Sequence, residues 1–244
     1  MAERPDAVHE RRRRFLVQAL STGLLAGGAG WDLPALAGLL GQLPGKLPEG
    51  KSVFQLQGRV TVDGKPATPD TLITAQSRIE TGEDSLVIYA VGDGAFVVRE
   101  RSVLEMGGKH LLIRAMQLLS GGLLSVFGHR DESSNVVVNV PTATIGIRGT
   151  GFYTELAPDR TYFCTCYGHT SIAASGGGES EEIVSRHHDA ARYILAEPQG
   201  GKRIVAAPFK NHTDLELMTL EALCGRTVPF VIPRDTYEAP RRDY

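Results

Sequence analysis

From Phe54 to Leu195 the apolar residues come in short runs rich in Val, Ile and Tyr, cut by Gly and Asp and rarely at helical spacing. Runs of this kind, punctuated about every eight to twelve residues, predict strands and exclude a helical bundle. Arg59-Val60-Thr61-Val62 leads into Asp63-Gly64, residue types that accept the positive φ of a tight hairpin. A second hairpin is expected where Ser85 to Val91 and Ala95 to Val98 flank Gly92-Asp93-Gly94. Leu111-Leu112-Ile113 is expected to meet Leu118-Leu119, after which Ser120-Gly121-Gly122 turns the chain into Leu123 to Phe127. Further strands are expected at Asn135 to Val140, Gly151 to Leu156 and Thr161 to Tyr167. The fold class is therefore all-β, with short strands built either as a sandwich or as a coiled β-solenoid.

Ser175 to Glu182 is polar and contains Gly176-Gly177-Gly178, the composition of a mobile loop between strands. Its Glu179, Glu181 and Glu182 are expected to be a solvated acidic stretch, and Glu181 to Leu195 to return as a strand pair. Past Pro208 the pattern changes. Asn211-His212-Thr213-Asp214 can cap a short C-terminal helix whose apolar face is Leu215, Leu217, Met218, Leu220, Leu223 and Cys224, ended by Gly225. The tail after Pro233, rich in charge and Pro, is expected to be extended. With 26 basic and 28 acidic residues the chain has no cationic surplus, so no nucleic-acid partner is expected.

Arg11-Arg12-Arg13-Arg14-Phe15-Leu16 runs into a soft apolar stretch, loosened by Gly23, Gly27, Gly28 and Gly30, that ends near Ala35-Leu36-Ala37. A cationic stretch, an apolar stretch and small residues in that order make an export signal. The register of Arg12, Arg13, Phe15 and Leu16 resembles the bacterial twin-arginine signal. That resemblance implies passage through the twin-arginine translocase as a folded chain, often with a cofactor already loaded, and a periplasmic location. No Cys precedes Cys164, which excludes a lipid-modified cysteine behind the signal, and cleavage would leave no stable membrane span. The alternatives are a basic tail or an uncleaved anchor. The expected organisation is a signal over 1–37, a linker over 38–52, a β domain over 53–205 and an extension with a short helix over 206–244.

The order of the strand motifs resembles a FecR-type domain between about Val53 and Ala173. Ile79-Glu80-Thr81-Gly82, Gly92-Asp93-Gly94 and Ser102-Val103-Leu104-Glu105 are similar to its first half. Leu118-Leu119-Ser120-Gly121-Gly122, Val140-Pro141-Thr142-Ala143 and Ile147-Arg148-Gly149-Thr150-Gly151-Phe152 are similar to its second half. The resemblance implies a FecR-like fold and a role in envelope signalling, in which a periplasmic β domain receives a signal from an outer-membrane transporter. Such proteins also carry a cytoplasmic sigma-binding segment. The few residues before Arg11 are too short for one, so the expectation is an exported binding or interaction domain with an envelope protein partner. Arg148, Gly149, Thr150 and Phe152 are expected to be structural: Gly149 and Gly151 permit a sharp turn, and Arg148 bonds carbonyls there.

Cys164-Thr165-Cys166-Tyr167-Gly168-His169 is where chemistry is expected. Residues i and i+2 of a strand share a face, so Cys164 and Cys166 would present two thiols about 6–7 Å apart. Such a pair can share a soft metal ion such as zinc or iron, with His169 or His188 completing the site. His187 and His188 would face opposite ways if extended, so only one can join. Two other readings stay open: buried thiols acting as small hydrophobes, and disulfide or redox chemistry, either between Cys164 and Cys166 or with Cys224. No nucleophile elbow, phosphate loop or His-Glu-x-x-His motif is present, so catalysis is not expected.

Overall fold

Continuous apolar runs and alternating runs give different strands, and this chain has both. The computed structural model describes residues 43–129 and 135–231. The signal residues Arg12, Arg13, Phe15 and Leu16 and the tail after Pro233 lie outside the described residues. In chain order the strands are β1 (Val53–Gln57), β2 (Val60–Val62), β3 (Lys65–Pro66), β4 (Arg78–Thr81), β5 (Leu86–Val91), β6 (Gly94–Val98), β7 (Val103–Lys109) and β8 (Leu112–Ser120). They continue as β9 (Gly122–Phe127), β10 (Val136–Val140), β11 (Ala143–Ile147), β12 (Gly151–Ala157), β13 (Arg160–Ala174), β14 (Ser180–Ser185), β15 (Ala190–Gln199) and β16 (Lys202–Ala206). The helix α1 (Asp214–Leu223) follows. The fold is all-β with one short C-terminal helix among the described residues.

The strands form one continuous sheet that doubles back on itself. A front layer runs β1-β5-β6-β9-β12-β13-β15-β16 and a back layer runs β14-β13-β11-β10-β8-β7-β4-β2-β3. Strand β13 belongs to both: its first half pairs with β12 and β15, its second half with β11 and β14. Apart from the parallel pair β8 and β10, the ladders are antiparallel. Together with the packing of the layers, this makes the architecture a sandwich rather than a stack of parallel coils.

Burial explains the two kinds of run. In β10 and β11 every second residue is buried, as in a sheet with one face packed. In β6 and β9 every residue is buried, because the front layer packs on both faces. Its inner face places Phe96, Phe127, Phe152 and Phe163 against Leu104, Ile113, Met116 and Ile145 of the back layer. Its outer face places Ile88, Val97, Leu124, Tyr153, Tyr162, Cys164 and Cys166 beneath Leu217, Leu220 and Leu223 of α1. Leu215, expected on the apolar face of the helix, is instead 53% exposed.

Both predicted hairpins form, with Asp63 and Gly64 at positive φ in the first and a two-residue turn, Gly92-Asp93, in the second. Leu111-Leu112-Ile113 does not meet Leu118-Leu119: both apolar runs lie at or within the single strand β8, which pairs with β7 and β10. The loop predicted over Ser175 to Glu182 is shorter, because Ser180 already pairs with Ala173 in β14. Its glutamates are bonded rather than merely solvated. Glu179 accepts from the Arg203 and Ile204 amides, Glu181 pairs with Arg192, and Glu182 with His169. The segment from Glu181 to Leu195 does supply two strands, each paired to a different half of β13.

The chain changes layer twice at one place. Between β11 and β12 it crosses through Arg148-Gly149-Thr150, with Gly149 at φ 76°, and β13 crosses beside it at Gly168, with φ 90°. A Cβ on Gly168 would lie 2.6 Å from the Gly149 carbonyl oxygen and 2.5 Å from Thr150 Cγ2. The sharp turn therefore belongs to Gly149. Gly151 already lies in β12 and is small for another reason: a Cβ there would sit 2.4 Å from the Tyr167 ring. The Arg148 amide donates to the His169 carbonyl at 3.1 Å, tying the crossings together. Gly168→Ala should cost about 2–3 kcal/mol or more, since it combines positive φ with a backbone clash, whereas Gly45→Ala, which meets nothing within 4 Å, should melt like the parent. Equal thermal melts for the two variants would contradict the crossing geometry.

Candidate metal centre

On the outer face of the front layer, β13 places Cys164 and Cys166 side by side, both fully buried. The pairing of β13 with β12 slips by one residue between Thr165 and Tyr167, so Cys166 is the extra residue of a bulge. The donor atoms of Cys164, Cys166, His188 and His212 all lie within 4.8 Å of one another. That is closer than the 6–7 Å spacing expected for the two thiols on a regular strand.

The histidines come from two other segments. Past β14 the chain turns through Arg186, His187 and His188, where the amides of Arg186 and His187 donate to the Asp189 carboxylate and His188 takes φ 56°. The turn is not extended, so both imidazoles contact Asp214, but only His188 joins the two cysteines, as expected of the pair. His212 immediately precedes the Thr213 N-cap of α1, whose capping box with Glu216 fixes the helix start. A residue in that position often packs inward as an apolar staple. Here an imidazole does so, 1% exposed and stacked on Tyr153 at 4.7 Å.

Three of the six donor-to-donor distances lie close to the edges of a metal tetrahedron. Zinc bonds of about 2.3 Å to sulfur and 2.0–2.1 Å to nitrogen imply edges of about 3.3 Å between nitrogens and about 3.6 Å between nitrogen and sulfur. His188 Nδ1 lies 3.1 Å from His212 Nε2, Cys166 Sγ lies 3.2 Å from His212 Nε2, and Cys164 Sγ lies 3.8 Å from His188 Nδ1. The remaining ring nitrogens are directed outward. His212 Nδ1 donates to the Lys210 carbonyl at 2.7 Å, and His188 Nε2 donates to Asp214 Oδ1 at 2.9 Å. These bonds aim His212 Nε2 and His188 Nδ1 at the common centre, the arrangement in which a carboxylate or carbonyl orients a ligating imidazole.

Charge accumulates there in a form that suits a cation. A hydrogen bond from Cys166, followed by those from His188 and His212, holds the Cys164 thiol well below its ordinary value despite burial. Burial, reinforced by its neighbour Cys164, pushes Cys166 well up. Burial alone would lower His188, but its bonds to Asp214 and Cys164 raise it. At both Cys164 and His188 the contacts within the cluster outweigh what burial alone would do. Phe209 packs 4.4 Å from the rings of both His188 and His212, and Phe230 stacks on His187 at 4.3 Å. Cys164, Cys166 and His212 are buried, so protein shields the cluster from solvent.

Asp214, 3% exposed, also accepts from His187 Nε2 at 2.9 and 3.0 Å. The loop before α1 is held by further polar contacts. Arg99 pairs with Glu216 at 2.8 Å and donates to the Asn211 carbonyl, while Asn211 donates to Glu155. Burial would raise Glu216, but the Arg99 guanidinium keeps it below its ordinary value.

The structure brings Cys164, Cys166 and His188 together and places His169 elsewhere. Past the bend at Gly168, His169 belongs to the back layer, where its Nε2 lies 2.6 Å from Glu182. His212 takes the fourth position. It is 46 residues from Cys166, and the sequence signal for it is a histidine where a helix staple normally packs. All three cysteines are thiols, with Cys224 half-buried at the end of α1. Arg148, Gly149 and Thr150 lie at the layer crossing, and Phe152 stacks on Phe163 in the inner core.

No family profile matches the chain. No curated protein matches it either. Two crystal structures from Parabacteroides distasonis, provisionally described as an anti-sigma factor, resemble part of it. Each covers 53% of this chain and 58% of its own, at 12% identity, with TM-scores of 0.44 and 0.42. A likeness that distant carries no functional argument.

Asp214→Asn keeps the side-chain shape and weakens the acceptor behind His188. It should lower zinc affinity about 10–100-fold without changing the number of ions bound. Competition against a chromophoric chelator reads both quantities, and unchanged affinity would remove Asp214 from the site.

Proposed function

We propose that this chain is an exported, FecR-type binding domain that holds one zinc ion and works in envelope signalling rather than in catalysis. The convergence of Cys164, Cys166, His188 and His212 on one point, with both imidazoles oriented from behind, carries the zinc reading. Two thiolates and two imidazoles in tetrahedral array are the donor set of a structural zinc site. A catalytic zinc keeps a position for water or substrate, whereas here four protein donors close the shell. Iron is the alternative ion for such a set, and metal identity is read directly by elemental analysis.

The ordered motifs from Ile79 to Phe152 support the FecR-type reading, and the Arg12-Arg13-x-Phe15-Leu16 pattern supports export as a folded chain. The two readings reinforce each other physically. A thiolate site filled and buried before export meets the oxidising compartment with its sulfurs already bonded to metal. Among the described residues no helix is long and apolar enough to cross a membrane. An envelope protein is the proposed partner.

Protein purified without added metal should carry about one zinc per chain, and Cys164→Ser/Cys166→Ser should carry none, whereas His169→Ala should retain it. Zinc retained in the double variant would overturn the site. Arg12→Lys with Arg13→Lys should hold the protein in the cytoplasm, as fractionation would show, and normal export of that variant would refute the twin-arginine route.

A further inference from the structure

Three of the four candidate ligands belong to the β framework: Cys164 and Cys166 on β13, and His188 on the turn before β15. The fourth, His212, belongs to residues 207–231, which lie over the outer face of the front layer. A metal there bonds a covering segment to the sheet beneath it. We infer that the ion is a latch for residues 207–231, and that α1 relays its occupancy to the stretch of chain that leads into β1. This rests on the zinc reading given above.

The helix depends on docking. It has ten residues, below the ~12–15 at which an isolated helix becomes even marginally stable in water. Its attachments fall at both ends and along its length. At its start, His212 enters the ligand cluster, Asp214 receives both His187 and His188, and Glu216 pairs with Arg99. Along its length, Leu217, Leu220 and Leu223 are buried against the front layer. At its finish, the Leu223 carbonyl accepts the Leu47 amide at 3.1 Å, and Gly225 lies against the Lys46 side chain. Leu47 packs into the same outer core. A continuous line of bonds and packing therefore runs from the ion through His212 and α1 to Lys46 and Leu47, the entry to β1.

The back layer has no share in this line. It pairs through β13 past Gly168 and packs on the inner face, so its ladders do not need α1. Loss of the ion leaves four buried polar groups with only the hydrogen bonds among themselves, and release of the covering segment, which supplies His212, would hydrate them. The two states are α1 docked and α1 released, with the sandwich intact in both. The ion biases the choice because only the docked state assembles all four ligands.

Hydrogen exchange followed by mass spectrometry on the full chain tests this, with zinc loaded and after chelation. At free zinc about a hundred times its dissociation constant, linkage protects the docked state by up to about hundredfold, and by less to the extent that the three framework ligands hold zinc on their own. Chelation should therefore speed exchange, by up to that factor, across residues 207–231 and at Leu47, while β10 and β11 keep their protection. His212→Ala should show the chelated pattern with zinc present. Unchanged exchange at residues 207–231 after zinc has left would overturn the latch and leave the zinc reading standing. Loss of protection in β10 and β11 as well would also overturn it, because the ion would then hold up the whole sandwich. A wild-type chain that binds no zinc would overturn both.

Discussion

Everything in this molecule depends on one strand passing through two layers. β13 can do so only because Gly168 accepts a positive φ and has no Cβ to strike the Gly149 carbonyl. The first half of the strand then sets the plane of the front layer and the second half that of the back. The inner core between them is formed by what that bend brings face to face. The same bend decides chemistry: two residues before it, Cys166 points outward into the second core, and one residue after it, His169 has left for the other layer.

The front layer is unusual in being apolar on both sides. Its outer face needs a cover, and residues 207–231 provide it with three leucines and two aromatic rings. Into that dry contact the chain inserts two sulfurs, two imidazoles and a carboxylate. Burial of so many polar groups costs several kcal/mol unless they are mutually satisfied. Asp214 and the Lys210 carbonyl take the outward protons, and the inward atoms of the thiols and imidazoles meet one another at hydrogen-bond distance. The aromatic walls of Tyr153, Phe209 and Phe230 strengthen each of these contacts by excluding water.

Much of this was legible in the residues. Asp63-Gly64 and Gly92-Asp93 announce their hairpins because few residue types accept those backbone angles. The polar run Asn211-His212-Thr213-Asp214 announces the helix start for a similar local reason. The pairing of Cys164 with Cys166 follows from strand periodicity. What could not be read was set by distant contacts. His169 seemed adjacent to the cysteines because periodicity says nothing about a strand that changes layer. His212 lay hidden because its contact with Cys166 closes a loop of 46 residues that no local pattern encodes. The run from Leu111 to Leu119 divided into two strands on paper because apolar residues flank the polar Arg114, yet β8 simply carries that side chain on its outer face.

The wide separation of the four donors along the chain sets an order of assembly. Cys164 and Cys166 are in place once β12 and β13 pair, His188 only after β15 has returned along β13, and His212 only after the last segment has crossed over the sheet. Contacts so far apart in sequence form late, because each closes a long loop before any compensating bond exists. A ribosome must therefore have released nearly the whole chain before the four donors can meet, which makes the closing of this cluster a late event of folding and not its nucleus.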